Sequence, residues 1–369
     1  MMRRLRRQRA RIALGAGLAA ATAGSALTGL APAQAATTPG WRLVSAIHQG
    51  AASGSDGLFS VVDPTKTDAW AFGGADLSGG TSGTPIAQRT GPAGHWRAAD
   101  LPSGLTGSLA AASAPGPGDI WAVTGLTGTV LHYNGTKWSV ARQFTENQGL
   151  PLQLTGVTAF SPTNVWVFGG AGAYPGFGTY HLQGTTWIRV TGVGSAIARA
   201  SALSATNIWA IGGNASAPQD IVEHYNGSGW RQQRAAVLAN VQYTGIVALS
   251  SSNVWATGSI YTDNTNVPWL LHYNGAAWSR VKVPWAVDLG QPVSDGAGGL
   301  WVMGEAYATG NWYAVHRSKT GAWHRYLLTK TGQVYALGLI PGTTSLWAVG
   351  TASNAAGAST SIWAYGPVG

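Results

Sequence analysis

Hydrolysis of a glycosidic bond needs two carboxylates roughly 5–10 Å apart, and this chain of 369 residues has 13 Asp and Glu in all. None stands in a paired spacing. Asp76, Asp220, Asp263 and Glu305 follow one kind of short apolar stretch, as do Tyr174, Tyr261 and Tyr307; Asp100, Glu146 and Asp288 follow another. There is no cysteine, which excludes thiol catalysis, disulfides and thiolate-bound metal. No Gly-x-Ser-x-Gly motif stands at a strand-to-helix junction. Five of the eight histidines recur at one place, His132, His181, His224, His272 and His316, just before a turn. Five imidazoles suggest a metal, but one per repeating unit sets neighbours too far apart to share an ion. A repeated hydrogen bond to a turn or neighbouring strand is expected instead. No cofactor and no metal are called for.

The elements that position these residues follow from tryptophan. Fourteen of the 18 tryptophans fall on two interleaved ladders. The first is Trp70, Trp121, Trp166, Trp209, Trp255, Trp301 and Trp347; the second is Trp41, Trp96, Trp138, Trp187, Trp230, Trp278 and Trp323. A period of roughly 46 residues marks an array of units, each too small to bury its own apolar face. Within a unit, an apolar stretch ends in a small polar turn, as at Ser161-Pro162-Thr163-Asn164. A compact strand ending in Gly follows, such as Val165–Gly170, then a variable loop, then a strand ending Tyr-Asn-Gly at Tyr133, Tyr225 or Tyr273. Asn-Gly predicts a tight hairpin with both turn residues at positive φ. The fourth strand carries the second tryptophan.

Seven units of four strands predict an all-β fold, a seven-bladed β-propeller over residues 36–369. Trp41–Val44 has no earlier strands of its own, and the last unit has a third strand at Ser361–Tyr365 but no fourth. The N-terminal strand should therefore complete the last blade and close the ring. Both ladders sit at fixed phase inside apolar strands, so the first-ladder tryptophans are assigned to packing between blades.

Double glycine at Phe72-Gly73-Gly74, Phe168-Gly169-Gly170 and Ile211-Gly212-Gly213, with the recurring Tyr and Trp, resembles the kelch repeat of the galactose-oxidase-like propellers. The resemblance spans residues 41–366, with Gly-Gly kept in three of seven units. It implies a propeller, and a copper radical enzyme only where a Cys–Tyr crosslink is present. With no cysteine, the oxidase site is missing.

Loops after second and fourth strands emerge on one face in a four-stranded meander, and they are the long ones. A ligand site is therefore expected there, among Asp76, Tyr174, Tyr261, Asp263, Trp285, Glu305 and Tyr307. No catalytic pair is assigned.

Residues 1–35 read as a secretory signal: six arginines between Arg3 and Arg11, an Ala/Gly/Leu-rich stretch, then Ala33-Gln34-Ala35. They carry six of the 22 Lys and Arg and no acid, so the remainder holds 16 bases against 13 acids. That near balance removes the argument for a nucleic-acid partner. The expectation is a secreted monomer without a membrane anchor, binding an extracellular glycan or protein. The competing expectations are an extracellular glycoside hydrolase or lyase using loop carboxylates, and a tryptophan-rich lectin.

Overall fold

A strand apolar on both faces, such as Val165–Phe168, cannot leave either in water, and here each blade covers the next. The computed structural model describes residues 40–50, 55–77, 83–90, 95–145, 149–170, 178–213, 220–234, 241–262, 265–354 and 357–368. The leader expected at 1–35, with Tyr174 and Asp263, lies outside the described residues, as does the side chain of Tyr261. The chain forms seven antiparallel sheets of four strands each. The first blade is Gly57–Thr65, Asp68–Ala75, Thr84–Thr90 and Trp96–Ala99, from the axis outwards. Each innermost strand touches the innermost strands of both neighbouring blades, and the cycle closes between the first blade and the seventh. There is no α-helix among the described residues, and so none long and apolar enough to cross a membrane.

The seventh blade is Gly332–Leu339, Leu346–Asn354 and Gly357–Tyr365, completed by Trp41–Ile47. Register runs Trp41↔Tyr365 through Ile47↔Thr360, with one irregularity between Leu43 and Ser45. The closing strand is thus longer than the four residues at its start suggested. Arg42 Nη1 donates to the Gly366 carbonyl at 2.7 Å, fixing its outer end.

The two ladders are one interlock. The first-ladder tryptophan of a blade meets the second-ladder tryptophan of the following blade edge to face. The pairs are Trp70–Trp138, Trp121–Trp187, Trp166–Trp230, Trp209–Trp278, Trp301–Trp41 and Trp347–Trp96. Their planes lie at 73–87° and their centroids 5.3–6.3 Å apart. Trp255 and Trp323 share one core cluster, with the Arg317 guanidinium over both rings. The first-ladder indoles are 1–4 % exposed. Such pairs add about 0.5–1.5 kcal/mol beyond area burial.

Glycine at the end of the second strand has a steric cause. A Cβ on Gly73 would lie 1.8 Å from the Gly57 carbonyl oxygen, and one on Gly169 2.2 Å from that of Gln153. The innermost strand bulges beside this position, between Leu58 and Ser60 and between Leu154 and Gly156, which drives its carbonyl into the partner strand.

The Asn-Gly turns differ from expectation. Gly135, Gly227 and Gly275 take φ of 92°, 91° and 95°, but Asn134, Asn226 and Asn274 do not take positive φ. Tyr133 pairs with Trp138, so four residues, not two, form the loop. Asn134 Oδ1 accepts from the backbone N–H groups of Thr136 and Lys137, both at 3.1 Å. The side chain supplies the turn, which frees the backbone of Asn from the left-handed region.

Candidate functional site

The five repeated histidines are structural pivots. Each stacks on the first-ladder tryptophan of its own blade, with centroids 4.0–4.5 Å apart. Each Nε2 meets an Asp or Asn oxygen beside the first turn: Asp119 for His132, Asn164 for His181, Asn207 for His224, Asn253 for His272 and Asp295 for His316, at 2.8–2.9 Å. The expected hydrogen bond is thus present in all five blades. Burial holds His181, His224 and His272 below the usual imidazole pKa, and Arg317 lowers His272 further. Neutral imidazole bonded to a neutral amide is the form these three sites favour.

The long-loop face carries acids in two separate places. Asp56 and Asp76 meet between the first and last blades. Asp56 is fully buried. It accepts from the backbone of Gln49 at 2.5 Å, Gly50 at 3.2 Å and Asp76 at 3.3 Å, and pairs with His48 Nδ1 at 3.0 Å. Asp76 is the one non-glycine residue at positive φ among the described residues, at 53°. Its carboxylate and that of Asp56 reach within 2.5 and 2.8 Å of the point a Gly50 Cβ would occupy. Asp56 thus clamps the loop behind the closing strand. Nothing in the repeat marked it, because no other blade holds an equivalent.

Asp288 and Glu305 face each other in register across the two inner strands of the sixth blade. Asp288 accepts from Ser259 Oγ at 3.0 Å and Asn266 Nδ2 at 2.7 Å, both from the fifth blade. Glu305 is half-buried, and burial, then the Asp288 charge, raises its pKa. Of the residues expected on this face, Tyr307 lies on the turn after Glu305 and is 54 % exposed. Trp285 packs edge to face on Trp323 at 6.3 Å, and the Arg325 guanidinium sits 5.3 Å over its ring. Asp76 follows the second strand of the first blade and Glu305 lies on the second strand of the sixth, with the seventh blade between them in the ring.

Two further groups carried no signal in the sequence. Glu223, 2 % exposed, accepts from Gly194 N at 2.7 Å and Ser195 Oγ at 2.6 Å, pinning the loop that enters the fourth blade. Burial raises its pKa. Asp63, between the first and seventh blades, accepts from Trp347 Nε1 at 2.8 Å, while its buried Oδ2 has no hydrogen-bond partner among the described residues. Desolvation pushes its pKa to about 7, against the Trp347 hydrogen bond and with help from the Asp68 charge.

No protein-family model matches the chain, and no curated protein matches it either. Solved structures do. "YCF48 bound to D1 peptide" aligns at TM-score 0.60 and 12 % identity, over 90 % of this chain and 97 % of that one. YCF48 from Cyanidioschyzon merolae aligns at 0.60 and 14 %, over 89 % and 99 %. The Niastella koreensis GH74 enzyme aligns at 0.53 and 12 %, over 82 % of this chain and 51 % of that one. Identities this low speak to fold alone. With seven four-stranded sheets closed by the N-terminal strand, the chain is a seven-bladed β-propeller.

Proposed function

We propose that this chain is a secreted, non-catalytic, kelch-like propeller that acts as a binding module for an extracellular protein, with a glycan as the alternative ligand. One observation carries the reading. Apart from the adjacent Asp288 and Glu305, the acids and aromatics picked out above are largely spent within the frame. Asp56 clamps a loop, the ladder tryptophans fill blade junctions, and Trp285 is capped by Arg325. Sugar binding wants an open aromatic face, and the ladder offers none. A neighbour of the same fold is bound to a peptide, which supports a protein ligand.

A second reading has its own support. Asp288 and Glu305 lie side by side, and Glu305 is pushed towards the protonated state of a general acid. Incubating the purified protein with a panel of polysaccharides separates the two. The binding reading expects no new reducing ends and no unsaturated products. Product formation that Glu305→Gln abolishes would instead establish a carbohydrate-active enzyme working at the sixth blade.

A further inference from the structure

One blade junction departs from the repeat in charge. At the third-strand position where five blades hold histidine, the first blade holds Arg89. Its guanidinium forks onto Asp68, Nε to Oδ1 at 2.7 Å and Nη2 to Oδ2 at 3.1 Å, and lies 4.8 Å over Trp70. Its Nη1 donates to the Tyr133 hydroxyl of the second blade at 3.4 Å. Arg97 stands opposite Arg89 on the outermost strand. Lys137 arrives from the four-residue turn of the second blade. Blades three to six put Thr186, Gly229, Ala277 and Ala322 at the Lys137 place, so the frame needs no cation there.

Between these residues is a cavity of about 500 Å³, with Leu101 and Pro102 in its wall and Asp100 beside them. Arg97 and Lys137 are exposed, and among the described residues their side chains have no hydrogen-bond or ion-pair partner. Arg89, by contrast, is tied down and sets the floor. The aromatic rings below are 2 % exposed at Trp70, 7 % at Tyr133 and 8 % at Trp138. They present no face for a pyranose to stack on. Trp96–Ala99 is the last strand of its sheet, with a free backbone edge along the groove.

We propose that this groove holds an acidic, extended peptide segment of a partner protein. Its carboxylates meet Arg97 and Lys137, its backbone follows the free edge of Trp96–Ala99, and an apolar side chain rests on Leu101 and Pro102. The inference rests on the binding reading above and gives it a location and a ligand class.

The test uses fluorescein-labelled model peptides of alternating Glu-Leu, Gln-Leu and Lys-Leu, read by anisotropy, with polygalacturonate as the glycan arm. The Glu-Leu peptide is expected to bind more tightly than the other two and to weaken as salt is added. The double variant Arg97→Glu, Lys137→Glu should lose at least about tenfold in affinity, while its melting curve matches the parent because both side chains are exposed. Arg231→Glu, at the equivalent place in the fourth blade, should leave binding unchanged. Equal binding of the Glu-Leu peptide by parent and double variant overturns the groove. So does binding of polygalacturonate, but of no peptide, in a form the double variant loses. A phage-displayed random-peptide selection separates the two levels. Enriched peptides lacking acids, bound equally by the double variant, remove the groove and leave the binding reading standing. No enriched peptide and no glycan bound removes both.

Discussion

Asp63 holds a carboxyl group against an indole in the seam where the first and last blades meet, and one of its oxygens has no hydrogen-bond partner among the described residues. Burial raises its pKa to about 7, so the folded protein takes up a proton that the unfolded chain releases near pH 4. Stability from this group is complete below the unfolded value and is lost as pH rises through 7. Asp63→Asn keeps an oxygen for Trp347 and removes the charge. The variant should be more stable than the parent by roughly 2–4 kcal/mol at pH 8, with the difference vanishing by pH 4. Denaturant melts at the two pH values check this, and a parent more stable than the variant at pH 8 would refute it. The histidines act in the opposite sense. With folded pKa values below the ordinary one, His181, His224 and His272 contribute stability above about pH 6.5 and lose it as pH falls.

A blade is held by its two inner strands, and their close approach is where a single methyl group matters. The bulge that lets Thr155 reach the Ile197 carbonyl of the next blade, at 2.5 Å, also turns the Gln153 carbonyl towards Gly169. Gly169→Ala sets a Cβ 2.2 Å from that oxygen, with backbone on both sides and nothing flexible to yield. A loss of about 2–4 kcal/mol is expected, as for overpacking in a rigid site. Gly149→Ala, where a Cβ would meet nothing within 4 Å, is a useful contrast. Its φ of 77° still strains alanine, but by about 1–2 kcal/mol. Thermal melts that rank Gly149→Ala as the more damaging would contradict this account of the second-strand glycines Gly73 and Gly169.

Across the whole molecule, seven junctions share one load, and the last is closed by a strand from the other end of the chain. An open array of repeats unfolds unit by unit, since each unit touches only its neighbours. A closed ring has no end from which to fray. Deleting Trp41–Ile47 exposes the outer edge of Gly357–Tyr365 and strips Trp301 of its edge-to-face contact with Trp41. The shortened protein should melt at least several degrees lower and over a broader range, with the calorimetric enthalpy exceeding the van't Hoff value. A melt as sharp and as high as that of the parent would mean that closure carries no weight.

The spacing of the tryptophans was enough to state seven blades, their strand order and the closing strand, because packing between like units imposes one aromatic phase on every unit. The repeated histidines were legible for the same reason. The Asn-Gly turns were misjudged because a side-chain oxygen, Asn134 Oδ1, does the work assigned to backbone φ. Asp56, Asp63, Glu223 and the Arg89–Lys137 groove break the repeat, so periodicity is blind to them. Whether Asp76 and Glu305 meet, and which face of Trp285 is covered, depends on loop paths and on contacts between residues far apart in the chain. Periodic residues report the frame because the frame is local and repeated; the aperiodic ones acquire meaning only when the ring closes and fixes their neighbours.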